Sequence, residues 1–591
     1  SRTFGNGMSL SLNGGYVYDK SKGLQGLPGG TLDVAGDSLF RYFTEYGPLR
    51  RVQETNTAQA GLTLNGMLSD WRWSLTSDYT RTQVNTDTDR SGDITALQAA
   101  IDAGTVDPLA ASFGPLLGAP VTDSAKVVDQ TINNLATLSG TVLVVPSGAV
   151  TTTLRAGYNR EDLDSRETSG AIVTNTDLSR DEISTGINID IPLADENIDV
   201  VEAIGKLSIN GNLGYSDLSD FGGLVEFGFG LNWEPLDGLV FSASAIGEDA
   251  APTIAQLGNP LIITPNVNIF DFTNGETVLA AITTGGNLAL PAEKQRDIKL
   301  AVNYRPEWLE GFAFLGEYFR NNSDNVASSF PLLTPEIEAA FPDRVTRDTN
   351  GRLIAIDQRP VTYANVYSER IRYGIDFSKR FGQQRGGGAG RPDRAARPAG
   401  GGAAEGRPQG DRPADGAAPD GNAGAKPAAP RGGSRAGGRP SGGRWQLSAF
   451  HTIRLKDTIK IRDGVEELDL LNGSATGSTG GSPRHEFEIN GGWFNNGIGF
   501  RLSGEHQTAT RVNGGLTGSD LRFSDLTTLN LRMFINLDDR GNLTEKIPFL
   551  KGSRIAFKVD NIFNDIQTVR DDSGLIPLSL ISANGSSAAS R

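Results

Sequence analysis

Acid–base or metal chemistry in this chain has to begin with three histidines, His451, His485 and His506, the only imidazoles in 591 residues. Each stands in or at the end of a segment with strand character, where a lone histidine is ordinarily a solvated or interface residue. His485 beside Glu486 and Glu488 has the composition of a metal-ligand set. Consecutive strand side chains point to opposite faces, however, so His485 cannot share an ion with either glutamate through a closed wall. Cysteine is absent, which removes disulfides, thiolate metal sites and cysteine nucleophiles. No phosphate-binding loop or nucleotide motif occurs. Gly228-Phe229-Gly230 sits within a strand pattern, where its glycines carry no such meaning. The expectation is no catalytic residue, no cofactor and no metal site, hence no enzyme.

What remains chemically is a set of polar and ionised residues at alternate positions. Arg72, Arg155, Arg370, Arg372, Arg501 and Arg532 recur with Asp190, Asn210, Asn212, Asp376, Glu488, Glu505, Asn530 and Lys558. The elements that position them have a period of two. In Trp71-Arg72-Trp73-Ser74-Leu75-Thr76-Ser77-Asp78-Tyr79 the apolar residues Trp71, Trp73, Leu75 and Tyr79 share one face and the polar residues the other. Phe227 to Trp233, Phe487 to Trp493 and Leu529 to Met533 repeat the pattern. Long strands that are apolar outside and charged inside predict an all-β fold, a large antiparallel transmembrane β-barrel. The arginines then line its lumen, and their mixture with acidic residues argues against a simple cation or anion pore.

Composition agrees. Mean hydropathy is −0.29 and no stretch of roughly eighteen apolar residues exists, so a membrane-spanning helix is excluded while a barrel is not. A net charge of −15 speaks against broad nucleic-acid binding. Short turns at Ser69-Asp70, Pro146-Ser147-Gly148, Pro235 to Gly238, Glu307 to Gly311 and Asn495-Asn496-Gly497 alternate with long connections near 85–137, 160–178, 248–293, 322–362 and 458–482. That alternation matches the two rims of a barrel. Within 85–137, Leu97, Ala100 and Ile101 share a helical face between a capping Asp93 and a terminating Gly104, predicting a short helix. About seventeen strands are expected, the last running outward from Arg554 to Phe563. The expected organisation is a first barrel part over 1–381, a low-complexity Gly/Pro/Arg linker over 382–443, a second barrel part over 444–564, and an incomplete tail over 565–591. The linker falls on the short-turn, periplasmic side by the up-down count.

Several segments resemble the barrel of TonB-dependent outer-membrane receptors. Leu231 to Ser244, with Trp233-Glu234-Pro235 and Gly238-Leu239, is similar to that family's W-x-P…G-L hairpin. Pro252, Thr253 and Leu257 match its R-A-P-T…L stretch, with Ala250 where an arginine is usual. Asn287, Leu290 and Glu293 resemble N-P-x-L-x-P-E, with Leu288 and Ala292 in place of its prolines. Val559, Asn561 and Phe563 resemble V-x-N-L-F-D. The resemblance implies a 22-stranded family type, a bacterial outer-membrane location with lipid around the wall, and a monomeric barrel. It also implies TonB-coupled active uptake of a solute such as a siderophore, vitamin, saccharide or peptide. The family's plug domain, TonB box and terminal aromatic strand have no counterpart here, so the chain reads as a fragment or one half of a split barrel. A passive porin-like channel and a surface adhesin or scaffold are the alternatives. Ligand contact would fall to the outer loops, where Phe270, Asp271 and Phe272 combine aromatic platforms with a polar neighbour; simple packing of the loop by both rings is the competing reading.

Overall fold

The computed structural model describes residues 2–4, 7–34, 37–195, 204–381, 443–477, 480–514, 520–537, 547–550 and 553–576. Its main element is a 19-stranded antiparallel sheet in which two members, Arg2–Thr3 and Leu468–Asp469, are two-residue pieces and the other seventeen form the wall. In chain order these are β1 (Ser9–Leu24), β2 (Arg50–Leu68), β3 (Trp71–Arg90), β4 (Val121–Val145), β5 (Gly148–Ser169) and β6 (Ile172–Ala194). Then come β7 (Lys206–Leu218), β8 (Gly222–Leu236), β9 (Leu239–Ala250), β10 (Glu293–Tyr304), β11 (Phe312–Ser328) and β12 (Val361–Phe381). The last five are β13 (Gly443–Lys460), β14 (His485–Asn495), β15 (Ile498–Gln507), β16 (Leu526–Asn536) and β17 (Arg554–Val559). Each pairs with its successor, so the wall is one uninterrupted meander. Among the described residues no pairing joins β17 to β1. After an even number of reversals the two run in the same direction. A seam made directly between them would therefore be parallel, and an antiparallel seam needs a further strand.

Strand alternation sorts the wall into two faces. In one register row, Trp445, Trp493, Phe500, Met533 and Phe557 lie opposite one another across five strands. One residue along, the row is Gln446, Gly492, Arg501, Arg532 and Lys558. A one-residue slip would exchange these sets, which is why burial of either face specifies the register.

The apolar face carries a vertical order as well. All six tryptophans sit at the short-turn rim: Trp71 and Trp73 open β3, Trp233 approaches the end of β8, Trp308 lies in the β10–β11 turn, Trp445 opens β13 and Trp493 approaches the end of β14. Four tyrosines occupy the opposite level, while Tyr304, at the end of β10, stays at the tryptophan rim. The hydroxyls of Tyr16, Tyr79, Tyr158 and Tyr318 bond Asn56, Gln130, Asp181 and Glu369 respectively. Each of these partners lies two register steps nearer the long-loop rim. These four phenol tips thus point the same way, the habit of interfacial tyrosine. Trp71 and Tyr79 are eight residues apart on β3, about 26 Å along the strand at ~3.3 Å per residue, on the order of the ~25 Å apolar band of a membrane barrel.

At the other rim the connections fold into caps. The β1–β2 connection forms a hairpin, Gly29–Val34 with Asp37–Tyr42, and packs Leu32 and Phe43 against Leu97 and Ile101 of α1 (Thr95–Asp102) and against Phe113. As the spacing predicts, α1 is a helix, but its N-cap is Ile94, without a side-chain cap, and Asp93 sits one residue earlier, accepting from the Thr95 backbone N–H at 2.8 Å. A second cap combines strands Ile262–Asp271, Glu276–Thr284, Leu353–Asp357 and Val345–Arg347 with α2 (Ile254–Gly258) to one side and α3 (Pro335–Ala340) on its core. That core extends to Ile459 and Leu470. The third pairs Thr510–Val512, Leu521–Phe523 and Val569–Asp571.

Two expected loops are largely strand. β3 runs to Arg90 and β4 starts at Val121, so the connection expected over 85–137 covers only the residues between them. The segment 160–178 is a tight hairpin of β5 and β6 around Gly170, whose φ is +60°. These upper strand ends are polar on both faces, with Arg81, Gln83 and Asn85 on one side and Thr80, Thr82 and Thr86 on the other. They consequently lack the alternation that marks the lower parts. Residues 382–442, nearly the whole expected linker, lie outside the described residues, as do 577–591 of the expected tail.

Candidate functional site

The polar face of the wall and the caps above it form the candidate site. Alternation places the six arginines expected to line a lumen on that face. Arg155 of β5 donates to Glu226 of β8 at 2.5 Å, and Asn212 of β7 donates to the same carboxylate at 3.0 Å. Arg372 of β12 reaches Glu488 of β14 at 2.8 Å while its guanidinium lies 4.2 Å from the Phe450 ring centre. Arg370 stacks over Phe319 at 4.7 Å. Arg501 and Arg532 stand directly opposite each other, with Lys558 next in the row. Among the described residues neither arginine has a carboxylate partner. Like charges opposed across strands are destabilising by a few tenths to about 1 kcal/mol, which applies to the Arg501–Arg532 pair, whereas Lys558 is ion-paired with Asp560 at 2.6 Å. Arg72 lies at the foot of β3, opposite Met67 and Ser139. The glutamates beside His485 behave as alternation requires: Glu486 bonds Arg454 at 2.9 Å and Glu488 bonds Arg372, both on the polar face.

The motif residues at the long-loop rim meet one another in space. Thr253 caps α2 in a reciprocal box with Gln256, whose side chain accepts the Thr253 N–H at 2.9 Å. Leu257 and Leu290 are buried in one small cluster with Ala327. The Asn287 N–H donates to the Gln256 carbonyl at 2.8 Å, so the two stretches are clasped together. The clasp is tied to the wall by Arg180 of β6, which donates to Asp220 and to the Pro252 carbonyl at 2.9 Å and is 6% exposed. Sequence patterning gives no sign of this role for Arg180, because it depends on Asp220 and Pro252, 40 and 72 residues away. Glu293 opens β10 opposite Ala250. Near the end of the chain, Val559 closes β17. Asn561 has a φ of +47° and is pinned by its N–H to Asn530 and by its amide to Asp565. Phe563 is exposed.

The aromatic pair expected to offer a ligand platform is turned inward. Phe270 and Phe272 pack edge to face at 4.9 Å and are buried with Val512, Leu521, Phe523 and Val569. Between them Asp271 is 1% exposed and accepts both terminal nitrogens of Arg347, at 2.7 and 2.9 Å. Arg347 also donates to Glu338 of α3 at 2.7 Å. Burial pushes the Asp271 carboxyl up, but the Arg347 guanidinium and the Asn274 amide outweigh it and hold the group below the usual carboxylate range. Glu338 is held down first by Arg347, against the opposing effect of burial. These residues therefore join the second cap to the third, and none of the three presents a surface for a solute. The packing alternative is what the geometry realises, because rings with hydrophobic neighbours from two caps gain more by burial than by exposure.

One further tie crosses the mouth. Asn266, at a φ of +57°, donates its side-chain amide to the carbonyls of Gln25 and Leu27 at 3.2 and 3.0 Å. The β1–β2 loop is thereby linked to the second cap. Among the described residues no three histidine, aspartate or glutamate side chains converge on a metal position. The site consists of polar groups along a wall and packed loops above it.

A two-faced antiparallel meander with short turns at one rim and long connections at the other is the strand organisation of large outer-membrane-type barrels. Solved structures of that kind match the chain along most of its length. The siderophore receptor PirA from Acinetobacter baumannii is 9% identical, with 94% of this chain and 67% of that one covered and a TM-score of 0.45. A mutant of the ferric enterobactin receptor PfeA from Pseudomonas aeruginosa is 11% identical, covering 93% and 65%, with a TM-score of 0.46. The RagAB peptide importer in its "closed-closed" state is 9% identical, covering 94% and 66%, with a TM-score of 0.48. The chain spans about two thirds of the length of these structures. No family profile and no curated protein matches the sequence.

Proposed function

We propose that this chain forms the wall and outer caps of a bacterial outer-membrane receptor of the TonB-dependent class, working in energised uptake of a solute. The observation that carries the reading is the combination on one meander of an apolar face banded by tryptophan and tyrosine with a polar, arginine-rich face beneath interlocked caps. The clasped motifs at Pro252–Leu257 and Asn287–Leu290 add support, since they are the stretches that resemble the family. Solute capture falls to the polar face and cap undersides, with siderophores, vitamins, saccharides and peptides as candidate classes. Coupling to TonB would come through a plug and TonB box from outside these residues.

The test is uptake by intact cells carrying the gene, compared with an isogenic deletion strain, over labelled ferric siderophores, cobalamin, oligosaccharides and peptides. Saturable, gene-dependent uptake of one class that a protonophore abolishes is expected. Non-saturable entry of many small solutes, unaffected by the protonophore, would replace this reading with a passive pore.

A further inference from the structure

The three histidines are scattered over 56 positions of the sequence, yet the sheet register brings them into one patch on the apolar face at the long-loop rim. Tyr373 of β12 is opposite His451 of β13, His451 opposite Phe487 of β14, and Phe487 opposite His506 of β15. His485, the first residue of β14, sits two register steps higher, opposite Ile453. His451 lies flat on Phe487, with centres 4.1 Å apart and planes within 5°. Its Nδ1 is 2.9 Å from the Tyr373 hydroxyl and its Nε2 is 3.1 Å from His485 Nδ1. The backbone of His485 is fixed by Thr508, whose N–H donates to the His485 carbonyl at 3.1 Å.

From this geometry we infer that His451 and His485 form a two-imidazole site for a divalent first-row transition ion, Cu2+ above all. Two nitrogens each ~2.1 Å from one ion stand roughly 3.0–3.4 Å apart at octahedral to tetrahedral angles, which is the separation already present. Turning the hydrogen bond into a chelate requires each ring lone pair to swing roughly 40° off the Nε2–Nδ1 line. Imidazole suits copper, nickel and zinc, and copper binds tightest in that series. The proton balance also closes. One tautomer assignment that satisfies both contacts has the Tyr373 hydroxyl donating to His451 Nδ1 and the Nε2–H of His451 donating to His485 Nδ1. On binding, the His451 proton resides on Nδ1 and is donated to the Tyr373 oxygen, freeing Nε2. His485 keeps its proton on Nε2, and no proton is released. Tyr373 thus becomes the outer partner that fixes the ligand tautomer. Water completes the coordination, reached from the rim where β14 begins. His506, on the far side of Phe487, is bonded to Thr527 at 2.8 Å and takes no part.

The experiment is equilibrium dialysis of the detergent-solubilised full chain against Cu2+, followed by electron paramagnetic resonance. One tightly held equivalent with a two-nitrogen hyperfine pattern is expected. His485→Gln and His451→Phe, the latter keeping the ring stack, should each weaken binding at least tenfold and erase that pattern, while His506→Gln leaves both unchanged. Tyr373→Phe should weaken binding severalfold with the two-nitrogen signature retained. Far-ultraviolet circular dichroism confirms that each variant keeps its strands. A wild-type chain that retains no copper after dialysis would overturn the assignment. So would His451→Phe and His485→Gln variants that hold copper as tightly as His506→Gln.

Discussion

Arg347 shows most directly how single residues maintain the outer rim. It is the common partner of Asp271 and Glu338, so Arg347→Met leaves a buried carboxylate without a counter-charge. Loss of one partner from a buried pair costs about 3–5 kcal/mol, felt locally as exposure of Ile262–Asp271 and Val345–Arg347 to protease. Hydrogen exchange should show the same segments losing protection while β3 to β6 stay protected. Both carboxyls titrate below their ordinary range in the folded cap and near ~4 once released. Their contribution is therefore complete at neutral pH and is lost as the pH falls below about 4. Cap protection, corrected for intrinsic exchange, should drop in that range in the wild type and show no such step in Arg347→Met. Phe272→Ala should loosen the same region by about 3–5 kcal/mol, so any loss of solute uptake would track loss of cap protection. Reduced uptake with full protection would instead make Phe272 a contact residue.

At the level of elements, α2 is the piece most exposed to a single substitution. Its five residues depend on the Thr253–Gln256 box rather than on length, since so short a helix has little stability of its own. Thr253→Ala should cost about 1 kcal/mol, read as roughly fivefold faster exchange of the amides at the start of α2. Strands, by contrast, are legible in the residue order alone: the alternation from Trp71 to Tyr79, the turns at Ser69-Asp70 and Asn495 to Gly497, and the helix after Asp93 all lie where that order places them. What cannot be read there follows from how signals arise. β5 and β6 beyond Arg160 are polar on both faces and give no periodic signature. The inward turn of Phe270 and Phe272 depends on Val512, Leu521 and Val569, hundreds of residues away. Arg180 and the histidine patch become visible only once the register sets their neighbours beside them.

Considered whole, the molecule is a meander whose aromatic residues are sorted by height, and that order predicts behaviour in lipid. Tryptophan fluorescence of the reconstituted protein should be quenched strongly by lipids brominated near the headgroup and weakly by those brominated at the chain terminus. Equal quenching at all depths, or none, would remove the proposal that this face meets a bilayer. The indoles crowd one end of the wall and the imidazoles, with most of the wall's phenols, the other, so the wall carries a built-in direction that needs no attached label. A water-soluble quencher added outside sealed vesicles should dim the indole emission when that end faces the bulk and spare it when it faces the enclosed volume. The protein's own spectrum can therefore report which way up each molecule has inserted.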